Sequence, residues 1–211
     1  MKILSTNIGK PTLFHWNGKE EKTGIYKFPI NQPIYLTKND VMGDEVSNRL
    51  NHGGYYKDCY IFSAEQYPYW KSLYPELDWN WGMFGENLTL YDFDEKLVCL
   101  GDIYEVGEAV VQISQYREPC YKLGVKFGTQ QVIRQFIEHG YGGSYLSILE
   151  EGYVEPNQEF KLVDRSESTL SVSDLFQLVH AKEKDPKLLS IAAKSKAIPP
   201  KKRMWLETFL K

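Results

Sequence analysis

Most of the short motifs that announce a chemistry are missing from this 211-residue chain. It contains neither GxxxxGKS/T nor GxGxxG, so no phosphate-cradling nucleotide loop is written locally, and no GxSxG elbow marks a serine hydrolase. Cysteine is scarce. Cys59, Cys99 and Cys120 form an odd, widely spaced set without a CxxC pair, which argues against a disulfide framework and against structural zinc. The four histidines, His15, His52, His139 and His180, are too scattered to add a zinc site. No apolar run reaches membrane length, and the opening MKILSTNIGKP lacks the apolar core and cleavage site of a secretory signal. A soluble, cytoplasmic protein with no membrane partner is expected. Basic excess is absent too, with a formal net charge of -3 and one tight cationic cluster, Lys201-Lys202-Arg203, so nucleic acid is not an expected partner.

Aromatic residues are plentiful, with 15 Tyr and 5 Trp, and they favour strands. Up to about Arg165, short β-branched and aromatic runs broken by Gly, Pro and Asn predict strands over 2–6, 12–16, 24–29, 34–36, 58–62, 88–90, 103–106, 109–112 and 159–163. Gly107-Glu108 reads as a two-residue hairpin loop. Two helices interrupt the pattern. One starts at Ser63 behind a capping-box sequence, and one runs from Thr129 to His139 with Gly140 as its stop. The fold class expected is mainly β with helices, a barrel or closed, bent sheet over residues 1–165. Residues 166–211 read as a small three-helix unit (171–180, 185–194, 199–210), too short to be stable alone. It is expected to dock through Leu175, Phe176, Leu188, Leu189, Trp205 and Phe209.

Cys120 stands apart from the other thiols. It lies in a polar, Pro-broken loop, QYREPCYKLG from Gln115 to Gly124, where Arg117 and Lys122 would favour the thiolate, the form that binds soft metals or attacks. Cys59 and Cys99 sit in apolar sequence and read as small buried hydrophobes. Gly53-Gly54, flanked by His52 and Lys57, either forms a tight turn or lets backbone approach an anion. Glu86 and Asn87 either cap a turn before a strand or, for Asn87, hydrogen-bond a flat heterocycle. Residue types alone thus suggest one reactive thiolate in an Arg- and Lys-lined pocket for an anionic ligand.

Together and in this order, Gly43-Asp44, His52-Gly53-Gly54, Phe84-Gly85-Glu86-Asn87-Leu88, Gly101-Asp102 and Pro119-Cys120-Tyr121-Lys122-Leu123 resemble the MOSC family, most closely its YiiM-like branch. The resemblance covers about Leu36 to Arg165, and the helical tail resembles that branch's C-terminal extension. It implies a MOSC-type β-barrel and a molybdenum cofactor, Mo-molybdopterin, with Cys120 as metal ligand and catalytic residue. It also implies cofactor contacts from His52, Gly53, Gly54, Lys57, Glu86, Asn87, Arg117, Tyr121 and Lys122. Where relatives commonly read His-Gly-Gly-x-Asp-Arg, this chain has Tyr56 and Lys57, so the charge is kept without the bidentate fork. The branch is associated with reduction of N-hydroxylated nucleobases and analogues, which implies a small N-hydroxylated substrate and an external flavin or iron-sulfur electron donor. A homodimer is left open. Two alternatives use the same cysteine: a non-catalytic carrier of the cofactor or of persulfide sulfur, and a metal-free thiol enzyme with His52 as base.

Overall fold

In a computed structural model, the described residues are 1–30, 32–47 and 53–210. The chain begins with β1 (Lys2–Gly9), β2 (Thr12–Trp16), β3 (Lys19–Thr23), β4 (Lys27–Ile30), β5 (Ile34–Thr37) and β6 (Asp40–Val41). β7 (Cys59–Ser63), a 3-10 turn (Ala64–Gln66) and α1 (Tyr67–Leu73) follow, then β8 (Leu88–Tyr91), β9 (Ile103–Val106) and β10 (Ala109–Tyr116). Next come α2 (Tyr121–Lys126), α3 (Gln131–His139), β11 (Ser144–Glu150), β12 (Gly152–Val154) and β13 (Lys161–Asp164). The chain closes with α4 (Val172–His180), α5 (Pro186–Lys194) and α6 (Pro200–Glu207). No helix among the described residues is long and apolar enough to cross a membrane.

The fold is β-rich with helices. Its main sheet has eight strands in the order β13-β9-β10-β11-β7-β8-β1-β4, antiparallel except for the parallel β7–β8 pair. The ladders among described residues form an open order, and no regular pairing of β4 with β13 closes a barrel. Instead, β1 makes irregular backbone contacts with the approach to β13: Ile3 N donates to Gln158 O at 2.9 Å and Asn157 N to Ile3 O at 2.8 Å. β12-β5-β6 and the β2–β3 hairpin form separate small sheets. β10 is longer than its apolar run predicts because bulges at two points, one beside Ser114, let it continue to Tyr116.

Two apolar clusters hold the molecule together. One fills the sheet interior with Ile3, Ile61, Leu88, Leu90, Val111 and Ile148, and it extends into the C-terminal helices through Leu175, Leu178, Leu189 and Leu206. The other is an aromatic stack of Phe62, Tyr67, Trp70, Phe84 and Phe136 under α1 and α3. α5 starts as expected, with Asp185 accepting from Lys187 N and Leu188 N ahead of Pro186. α6 is rotated relative to the sequence expectation. Leu206 is its buried anchor, while Trp205 and Phe209 are exposed. The reading at Ser63 is corrected as well, because its hydroxyl bonds Glu65 instead of capping the helix, and a 3-10 turn forms first. The α3 stop holds: Gly140 adopts φ 79°, the left-handed cap that glycine tolerates.

Candidate functional site

A cleft is lined by residues flanking four strands of the main sheet: Lys27 at the start of β4, Asp58 just before β7, Asn87 just before β8 and Arg117 just after β10. It holds about 700 Å³ of empty space, its open mouth included. Of the residues singled out from the sequence, Lys57, Asn87, Arg117, Cys120 and Lys122 line it. Cys120 is half-buried, in extended backbone (φ -129°, ψ 167°) immediately before α2.

Arg117 is 5% exposed, yet its Nη1 has no hydrogen-bond partner, and no ion pair joins it to a described carboxylate. Its neighbours are the aromatic faces of Tyr60 (5.1 Å) and Phe136 (5.5 Å). Its backbone is fixed by donation from its N–H to Gly143 O at 3.3 Å. Gly143 N and Gly142 N in turn donate to the fully buried Glu95, at 2.8 and 3.2 Å. Burial pushes the Glu95 carboxyl up to about 7 against the pull of those two N–H groups.

A second buried cation of the cleft, Lys27, is satisfied. Lys27 forms an ion pair with Asp44, whose carboxylate also accepts from Gly9 N (2.7 Å) and from Asn87 Nδ2 (2.9 Å). The Asn87 Oδ1 accepts from Tyr60 N at 3.2 Å. The Asn87 amide is therefore engaged on both sides, and what it orients is Asp44. Lys122 lines the cleft while its Nζ donates to Lys22 O at 3.1 Å, which ties α2 to the β2–β3 hairpin. Burial pulls the Lys57 ammonium down, against the opposing field of Glu118. Burial also pushes Glu118 up, but Lys202, Lys57 and His180 outweigh it and hold the carboxyl low.

Four expected contacts lie elsewhere. Glu86 is 0% exposed and accepts from Gly82 N, Phe84 N, Tyr67 Oη and Thr89 Oγ1, so it braces the 82–87 loop from inside. Tyr121 turns away from the cleft, stacking on Trp16 (ring centroids 5.2 Å apart) with its hydroxyl on Glu21. Gly53 and Gly54 line a neighbouring second cleft. His52 lies outside the described residues. Cys59 is buried as expected and burial pushes its thiol up, whereas Cys99 is only half-buried, outside the named strands. Lys27, Tyr60 and Tyr145 were missed. Each sits in strand sequence with no local cue, and only partners distant in sequence bring them into the wall.

The donor set fits a soft metal joined to an anionic group: one accessible thiol and one buried guanidinium without an anion share a cleft wall. No group of three or more metal-binding side chains occurs among the described residues. A MOSC domain model matches residues 48–161, and the chain belongs to the MOSC domain family, whose members are associated with molybdenum cofactor binding. More particularly, the chain is 40% identical over 170 residues to the protein YflK of Bacillus subtilis, covering 81% of this chain and 76% of that one. It is 29% identical over 176 residues to a reductase of Gibberella moniliformis, covering 82% of this chain and 31% of that protein, so it spans under a third of its length. The crystal structure of YiiM from Geobacillus stearothermophilus superposes over 100% of this chain and 99% of its own, with TM-score 0.82 and 29% identity.

Proposed function

We propose that this protein is a cytoplasmic, molybdenum cofactor-dependent reductase of N-hydroxylated nucleobases or analogues. The observation that carries the reading is Arg117: a buried guanidinium with an unpartnered Nη1 in the same cleft as Cys120. Burying an unpaired cation costs several kcal/mol, so such a group marks a place built for an anion. The phosphate of a pterin cofactor is such an anion, and the Cys120 thiolate is the soft ligand that its metal would take. When bound, the cofactor would supply a two-electron centre able to take oxygen from nitrogen.

The chain's own residues have narrower roles. Cys120 holds the metal. Arg117 draws in the phosphate and is kept in register by Gly143, behind which stands Glu95. Asn87 and Asp44 fix Lys27, and Tyr60 and Tyr145 give flat walls that exclude water. The net change, R–NHOH + 2e⁻ + 2H⁺ → R–NH₂ + H₂O, draws its electrons from an external flavin or iron-sulfur protein. Residues 1–165 are read as a MOSC barrel whose seam is the contact of β1 with 157–160, and residues 166–211 as its helical extension.

Molybdenum per chain, measured after expression in a host that makes the cofactor, tests the reading. Near-stoichiometric metal in the wild type and its loss in Cys120→Ala support it, as does reduction of an N-hydroxylated base by the loaded protein with a chemical reductant. A metal-free wild type from a cofactor-replete host overturns it. Metal without turnover assigns a carrier instead.

A further inference from the structure

The second cleft lies against the first and shares Lys57 and Glu118 with it. It holds about 1030 Å³ of empty space, its open mouth included. One wall is the turn that follows Gly53, closed by donation from Lys57 N to Gly54 O at 2.7 Å, which presents Tyr55 and Tyr56. Gly54 stands at φ 93° with open space where a Cβ would lie, so glycine is needed for the backbone of this turn and not by crowding. The other wall is α6, which brings Trp205, Lys201 and Lys202.

Charge and aromatic surface coincide here. Three lysines face one carboxylate in a protein whose formal charge is -3. Lys202 is taken up by Glu118 and lies 4.3 Å from the Tyr116 ring centroid, so it is part of the wall. Lys201 is exposed and forms no ion pair with a described residue, leaving its ammonium for a ligand. Trp205, 41% exposed with the Lys184 ammonium 5.3 Å from its ring centroid, and Tyr55, 48% exposed, leave part of their aromatic surface in solvent. Neither belongs to the buried core, and Leu206, not Trp205, anchors the helix.

We propose that this second cleft binds a nucleotide group, with a flat heteroaromatic ring against Tyr55, Tyr56 and Trp205 and a phosphate held by Lys201. Aromatic side chains take any base through its π-face, and a lysine at the rim reads phosphate as a point charge. Two sources supply that chemistry: an N-hydroxylated nucleotide as substrate, which rests on the proposed reductase reading, or a nucleotide attached to the pterin cofactor. In the first case the ring would lie beside the cleft that holds Cys120.

Titration of the full-length, cofactor-free protein with adenosine 5′-monophosphate and with adenosine, by calorimetry at low salt, tests the cleft without needing molybdenum. The monophosphate is expected to bind about tenfold more tightly than the nucleoside. Lys201→Ala should remove that difference and leave adenosine unchanged, whereas Trp205→Ala should weaken both about tenfold. Both residues are exposed, so the variants are expected to fold, and an unchanged circular dichroism melt checks this. These results support a nucleotide site in this cleft even if the protein carries no metal, in which case only the reductase reading fails. If the cofactor-free protein ignores both probes, but the loaded protein releases a pterin dinucleotide whose retention falls in the two variants, the nucleotide belongs to the cofactor. Equal binding of the two probes, or binding indifferent to both substitutions, together with no nucleotide on the released pterin, overturns the proposal.

Discussion

Lys27 and Arg117 stand in the wall of the same cleft, both under 10% exposed, and are treated in opposite ways. Lys27 has Asp44, and Asp44 has Gly9 and Asn87 behind it, so the group is complete without a ligand. Arg117 has two aromatic faces and an Nη1 with nothing to donate to. A buried charge that is paired and hydrogen-bonded belongs to the fold. One that is not belongs to whatever fills the cleft. The cation that the sequence could not single out is thus structural, and the guanidinium three residues before the candidate thiol is the one left without an anion.

The comparison is most exposed to a metal measurement. Arg117→Met should cut molybdenum retention at least tenfold in a cofactor-replete host, and metal analysis at wild-type levels in that variant would remove Arg117 from the site. Stability gives the next largest effect. Lys27→Met leaves Asp44 buried without its cation and should cost about 3–5 kcal/mol in urea unfolding, whereas Arg117→Met should leave the ligand-free protein as stable or more so. Equal losses in the two variants would mean that Arg117 is as structural as Lys27.

A third effect concerns the support behind Arg117. The folded-state Glu95 carboxyl titrates near 7, above its ordinary 4.5, so the folded protein keeps a proton that the unfolded chain loses in between. This contribution is fully present below about pH 4.5 and is lost as pH rises through about 7, a change on the order of 3 kcal/mol. Glu95→Gln cannot ionise and should flatten the fall in stability between pH 5 and 7, measured by urea midpoints. An unchanged slope would show that Glu95 is already charged at pH 5. The smallest effect tests the anion directly. Inorganic phosphate at ten times its dissociation constant should stabilise the ligand-free wild type by about 1.4 kcal/mol, read as a raised melting temperature, and do nothing for Arg117→Met. The same stabilisation in both proteins would place the anion elsewhere.

Local sequence was a good guide wherever the cue was local. The strands at 12–16 and 103–106, the α3 stop at Gly140 and the Asp185-Pro186 start of α5 all follow from neighbouring residues. β3 escaped because KEEKT is charged at four of its five positions and becomes a strand only by pairing with β2. β11, SYLSILE, has only Ile148 as a β-branched residue among serines and leucines, and its place between β10 and β7 is a tertiary decision. On α6 the apolar residues were evident but not which of them faced inward, because Trp205, Leu206 and Phe209 permit more than one rotation of so short a helix.

The candidate site divides along the same line. The sequence by itself determined the distinctive thiol, Cys120, its neighbours Arg117 and Lys122, and the family, because these lie within a few residues or recur as motifs in order. It could not determine that Glu86 and Asn87 are committed to internal hydrogen bonds, that Tyr121 turns to Trp16, or that Lys27 meets Asp44 from 17 residues away. Those outcomes depend on which strand ends the sheet register brings together. Whether a buried polar group is satisfied is set by neighbours in space, and that is why only the tertiary structure distinguishes the cation that serves the fold from the one left for a ligand.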